Sequence, residues 1–126
     1  HADPLARGCF VGLGLTHGRG HLLRAVLEGV TYNLRESLEI IRGLDVPVHE
    51  IRVGGGGSKG PLWRRIQAEV FGQEVVRTNA EQGAAYGVAL LAAVGGGAFA
   101  DIAEACGATI HGAERIPCDG ASRAAY

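Results

Sequence analysis

The sequence predicts an α/β fold, a mostly parallel sheet covered by helices, and three observations carry that expectation. Short strand-like segments take turns with segments whose apolar residues recur every three and four positions. The order is strand, helix, strand, helix, strand, helix, with a short helical annex. The 126 residues are 47% apolar, enough for one domain with its own core. The 21 glycines, about twice the usual share, follow no collagen period and fall mostly between the periodic segments, where tight connections belong.

The first expected strand spans 8–15, apolar but interrupted by Gly8, Gly12 and Gly14, which weaken a strand unless another backbone approaches closely. A helix is expected over 21–42, capped by Thr16 or a residue just after it. Leu23, Val26, Leu27, Val30, Leu34, Leu38 and Ile41 form one broad apolar face, Gly29 sits mid-helix, and Gly43 and Pro47 end it. The second strand covers 48–53, and after a glycine turn a helix follows over 61–70 with Leu62, Ile66 and Val70 inward. A third strand covers 74–78, and 79–83 connects it to a helix over 84–94, apolar on nearly every side and so expected to be buried on much of its surface. Residues 99–106 read as a further short helix, and 107–126 carry only weak periodicity.

The chemistry concentrates at Gly54-Gly55-Gly56-Gly57, between a strand and a helix start. Such a turn brings bare backbone close to a ligand and suits phosphate or another anionic group, with a nucleotide as the expected ligand. It lies beyond the carboxyl end of a strand, where α/β sheets collect ligands. One or two glycines would make the turn alone. Ser58 has two readings: N-cap of the next helix, or, with Gly60 as cap and Pro61 in the first turn, a hydroxyl free for a ligand. Lys59 reads as solvated. Trp63, the single tryptophan, suits packing between this helix and a neighbour, with a ligand-pocket wall as the alternative.

Other site classes fit poorly. Gly55, Gly57 and Gly60 match the dinucleotide spacing, but Glu81 comes three residues after the third strand rather than at its end. The phosphate-loop ending of Lys followed by Ser or Thr is missing. His1, His17, His21, His49 and His111 form no metal-ligand pattern, and no nucleophile motif is present. Arg24 with Glu28 and Arg35 with Glu39 are helix-surface pairs. Twelve basic and thirteen acidic residues, a formal net charge of -1, argue against nucleic acid. No run of 18 apolar residues suggests a membrane span. Three unpaired-looking cysteines, Cys9, Cys106 and Cys118, point to the cytoplasm. The opening residues contain neither an initiator methionine nor a signal-like segment, so the chain reads as a piece of a longer protein.

Four blocks in order carry a family resemblance. They are His1-Ala2-Asp3-Pro4-Leu5-Ala6-Arg7-Gly8-Cys9-Phe10-Val11-Gly12-Leu13, Leu23-Arg24-Ala25-Val26-Leu27-Glu28-Gly29-Val30, Val53-Gly54-Gly55-Gly56-Gly57-Ser58-Lys59-Gly60-Pro61-Leu62-Trp63, and Glu81-Gln82-Gly83-Ala84-Ala85-Tyr86-Gly87 with Ala89. Together they resemble the carboxyl-terminal domain of the FGGY carbohydrate kinases, within them most the members that phosphorylate D-xylulose. The resemblance is clear over 1–95 and weaker over the annex and tail at 96–126, although Tyr126 fits the start of the family's closing tyrosine-containing segment.

The resemblance implies an actin-like, ribonuclease-H-like ATPase domain, with ATP and Mg2+ as cofactors and phosphate passed to the 5-hydroxyl of D-xylulose. Ribulose, glycerol and gluconate are the alternative sugars, and a non-catalytic nucleotide-binding module is the alternative from another class. Gly55, Gly56 and Gly57 match the turn that lies against the adenosine part of ATP, and Ser58 and Gly60 are the further residues expected at the nucleotide site. Gly60 stands where some relatives have asparagine. The catalytic aspartate and the main sugar-binding residues belong to an amino-terminal domain, the expected partner, so no catalytic residue is assigned here and the segment alone is expected to be inactive. Dimerisation is expected by analogy only.

Overall fold

The computed structural model describes residues 3–80, 83–120 and 126. His1, Ala2, Glu81 and Gln82, although part of the blocks and connection named above, lie outside the described residues. The chain runs α1 (Arg19–Gly43), β1 (Ile51–Val53), a 3-10 turn (Gly56–Lys59), α2 (Pro61–Phe71), β2 (Val75–Thr78), α3 (Ala84–Gly95), α4 (Ile102–Thr109) and β3 (Gly112–Ile116).

The helix ends follow local chemistry. Gly18 caps α1 with extended backbone, and its N–H donates to His21 Nδ1 at 3.1 Å, so a side chain one turn in satisfies the start rather than Thr16. Gly72 ends α2 in the left-handed region at φ 65°, with its own N–H on Glu69 O and that of Gln73 on Ala68 O, a closure that glycine permits without strain. Asp101 Oδ1 accepts from Glu104 N–H at 2.8 Å while Glu104 Oε2 accepts from Ala100 N–H at 2.7 Å. This reciprocal cap starts α4 at Ile102, three residues later than the expected 99.

The sheet corrects the predicted fold class. It has three strands in the order β1-β2-β3, with β1 parallel to β2 and β3 antiparallel to β2, so it is mixed rather than mostly parallel. Two physical reasons account for the difference. Residues 8–15 form no strand: they are exposed, and Gly12 at φ 78° breaks the extended path. Two helices rather than one separate β2 from β3, and the end of α4 returns to the exit of β2. There Asn79 N–H donates to His111 O, Asn79 Nδ2 to Thr109 O, and His111 N–H to Asn79 Oδ1. A chain brought back to that end runs backwards along β2. The strand Gly112–Ile116 was hidden in the tail because Gly-Ala-Glu-Arg-Ile lacks β-branched or aromatic alternation.

The core sits around α2. Ile66, Ala68, Val70 and Phe71 from α2 pack with Leu38 of α1, Val53 of β1 and Val75 of β2, all buried. Of the expected inward stripe, Ile66 and Val70 are 1% exposed whereas Leu62 is 50% exposed. The apolar faces of α1 and α3 are less covered than expected: among described residues α1 buries Thr31 and Leu38, and α3 buries Leu90. Periodicity reports that a face is apolar, not what covers it.

Tyr126 joins this core from the far end of the chain. Its hydroxyl donates to Glu28 Oε1 at 2.9 Å and accepts from Arg24 Nη2, tying the Arg24–Glu28 pair of α1 to the tail. Burial, then the bond to Glu28, pushes the phenol above its usual pKa. A raised folded-state value means that the folded state binds the proton more tightly. That contribution to stability is complete below the ordinary phenol pKa of about 10 and is lost as pH rises through the folded value. Wild-type stability is therefore expected to fall more steeply above pH ~10 than that of Tyr126→Phe, measured by urea unfolding across alkaline pH. In the core, Ile66→Ala is expected to cost about 2–4 kcal/mol and Leu62→Ala less than about 1 kcal/mol in the same assay; equal costs would contradict the packing described.

Candidate functional site

The four glycines lead from β1 into the 3-10 turn, and each has a different reason to be there. Gly55 has φ 70° and ψ -172°, backbone that a side chain does not tolerate. At Gly57 a Cβ would lie 2.3 Å from Cζ3 of Trp63, inside the ring's own volume. At Gly54 a Cβ would make ordinary contacts, with Ala80 O at 3.7 Å and Thr78 Oγ1 at 3.8 Å. At Gly56 it would meet nothing within 4 Å, and the residue is exposed. Two glycines are thus required by the turn and its packing. Gly56 is required by neither, and leaves a bare exposed patch of backbone.

The turn is closed by Ser58 N–H to Gly55 O at 3.2 Å and Gly60 N–H to Gly57 O at 3.4 Å. Ser58 is 5% exposed and its hydroxyl donates to Gly55 O at 2.8 Å, so it braces the turn from within. It does not cap α2: Gly60 is the cap and Pro61 takes the first helical position, where its missing N–H costs nothing.

Beneath the turn, Trp63 Nε1 donates to Thr31 Oγ1 at 3.0 Å, and Thr31, fully buried in α1, donates to Leu27 O at 2.7 Å. Every polar atom of this contact has a partner, and Trp63 fills the space under Gly57 rather than an open pocket. Arg64, 7% exposed, holds the turn from the other side. Its Nη1 donates to Ser58 O at 2.6 Å and Lys59 O at 3.1 Å, and its Nη2 reaches both oxygens of Glu114 on β3, at 3.2 and 3.0 Å. Sequence reasoning missed this residue, because an arginine beside an apolar stripe reads as solvated and its partner lies fifty positions away on an unrecognised strand. A concavity of about 500 Å³ lies against Arg64, Arg65, Glu114 and Arg115 on this side.

An apolar groove of about 320 Å³ runs between α3 and α4, lined by Ala80, Gly83, Tyr86, Leu90, Ile102 and Cys106 among others. Ala80 also borders Gly54, so the groove opens near the turn. Among the described residues no group of three or more His, Cys, Asp or Glu side chains is placed to bind a metal ion. Among them, too, no helix is long and apolar enough to cross a membrane.

A small mixed sheet with a glycine-rich turn at the exit of β1 makes this an α/β domain with a bare backbone surface at a strand's carboxyl end. Residues 1–96 match the FGGY family of carbohydrate kinases, C-terminal domain, and the chain belongs to that family. It is 42% identical over 104 residues to the xylulose kinase of Bacillus subtilis (strain 168), a match covering 82% of this chain and 21% of that protein. Its fold superposes on the crystal structure of xylulose kinase from Rhodospirillum rubrum with a TM-score of 0.76 and 34% identity, covering 94% of this chain and 24% of that one. The gluconate kinase from Lactobacillus acidophilus gives a TM-score of 0.74 at 26% identity, covering 96% of this chain and 24% of that one. The chain therefore spans about a fifth to a quarter of the length of these relatives.

The two glycine environments predict opposite outcomes for one methyl group. Gly57→Ala is expected to cost about 1–3 kcal/mol through the clash with Trp63, whereas Gly56→Ala is expected to stay within about 0.5 kcal/mol of wild type. Urea unfolding of the two variants side by side checks this, and similar losses would show that the ring contact does not govern Gly57.

Proposed function

We propose that this chain is the nucleotide-side part of the carboxyl-terminal domain of an ATP-dependent D-xylulose kinase, and that it forms the adenosine-side wall of the ATP site. The observation that carries the reading is Gly56, a bare and exposed backbone position with no structural need for glycine, in the turn leaving a strand of the parallel pair β1 and β2. A missing side chain at such a point makes sense where a flat ligand lies against the backbone. Gly55, Gly56 and Gly57 supply the surface, Ser58 braces it, and Gly60 starts α2 beside it. The identity to xylulose kinases supports D-xylulose as the sugar.

In this reading the bound nucleotide supplies the γ-phosphoryl group for in-line transfer to the 5-hydroxyl of the sugar, and this chain orients the nucleotide and excludes water on one side. No described residue is assigned to proton abstraction. Mg2+ would be bound through the phosphates of the nucleotide. The exposed apolar faces of α1 and α3, with Leu23, Val26, Val88 and Leu91 all more than half exposed, are where the remainder of the kinase packs. The complete enzyme acts in the cytoplasm.

The test uses the complete kinase. Gly56→Val is expected to raise the dissociation constant for ATP about tenfold or more, with the KM for sugar nearly unchanged. Turnover is expected to be highest with D-xylulose among D-xylulose, L-ribulose, glycerol and gluconate. Unchanged ATP affinity in Gly56→Val would remove the adenosine-wall reading, and a preference for another sugar would reassign the substrate.

A further inference from the structure

A glycine surface is useful to a ligand only if something else stops it moving, because four consecutive glycines have wide backbone freedom. The internal bonds of the turn hold its first half, where Ser58 N–H and hydroxyl both reach Gly55 O at 3.2 and 2.8 Å, better than its second, where Gly60 N–H to Gly57 O is 3.4 Å long. We infer that Arg64 is the positioning residue of the nucleotide turn, clamping the carbonyls of Ser58 and Lys59 to Glu114 of β3. This inference rests on the adenosine-wall reading above.

Packing alone does not account for an arginine at this position. Arg64 is 7% exposed, and its Nε is buried with no hydrogen-bond partner in the protein. An arginine paired with a carboxylate that is itself 45% exposed gains little stability from the charge pair, and an apolar side chain between α2 and β3 would fill the same space. What an apolar side chain cannot do is donate to two successive carbonyls with one face of a rigid fork and grip a carboxylate with the other. Those carbonyls belong to the two residues directly after the bare Gly56-Gly57 pair. Glu114 completes the link, accepting from Arg64 through both oxygens, with Arg77 Nη1 also 3.8 Å away. The turn is thereby tied to the antiparallel strand of the sheet as well as to its own helix. Such a clamp lowers the ordering cost of binding, so its removal weakens nucleotide affinity rather than sugar affinity.

The experiment is made in the complete kinase with Arg64→Met, Arg64→Lys and Glu114→Ala, alongside Gly56→Val. Each variant is measured for ATP affinity by calorimetry, KM for D-xylulose and thermal midpoint. Arg64→Met is expected to weaken ATP binding about tenfold with the KM for sugar changed less than about twofold, and Arg64→Lys to recover part of the loss through a single carbonyl. Glu114→Ala, whose side chain is 45% exposed in the wild type, is expected to fold and to weaken ATP binding about two- to threefold. Unchanged ATP affinity in Arg64→Met overturns the inference, as does a parallel loss of ATP and sugar affinity with a lowered midpoint. If Arg64→Met does not fold, Glu114→Ala decides on the same split, and no change in its ATP affinity overturns the inference. A silent Gly56→Val defeats the adenosine wall itself, whereas an effective Gly56→Val with silent Arg64 and Glu114 variants defeats only the clamp.

Discussion

The contact between Trp63 and the bare Cα of Gly57 is the constraint on which the rest of the arrangement depends. The indole ring occupies the volume a side chain at 57 would need, and its N–H is anchored to Thr31 in the middle of α1. One side chain of α2 therefore sets the height of the turn above the helix, and the distance between α1 and α2. The cost of burying the indole N–H is offset by a hydroxyl that is itself satisfied by Leu27 O. The bond is worth about 1 kcal/mol net, but leaving either group unpaired would cost more than that.

The neighbouring residue faces a different task. Trp63 works by excluding volume and Arg64 by donating hydrogen bonds, so consecutive positions of one helix restrain the same turn from two directions. The polar restraint runs through Glu114, and hence through β3 lying antiparallel beside β2. A mixed sheet is thus part of how the site is built. Had the chain left α3 straight into a third parallel strand, the carboxylate would not stand opposite Arg64.

The chain matches relatives four to five times its length. Helices α1 and α3 carry apolar faces that this chain by itself does not cover, while α2 is buried without a break from Ile66 to Phe71. The amphipathic pattern of α1 was legible from Leu23 to Ile41, since periodicity depends only on local sequence.

How much could be read without coordinates follows from the range of the interactions involved. Helix starts and stops at Pro61, Gly72 and Gly43, the strands around 51–53 and 75–78, and the glycine turn itself were determined by the sequence alone, because caps, breakers and periodicity act within a few residues. The resemblance of the ordered blocks reached the family for the same reason. The tertiary structure alone decided that residues 8–15 form no strand, that 112–116 do, that Ser58 closes the turn instead of capping a helix, and that Arg64 is buried. The strand at 112–116 and the burial of Arg64 depend on partners brought from far along the chain, Asn79 to His111 and Arg64 to Glu114. No local pattern encodes such partners, because their pairing depends on the path the whole chain takes.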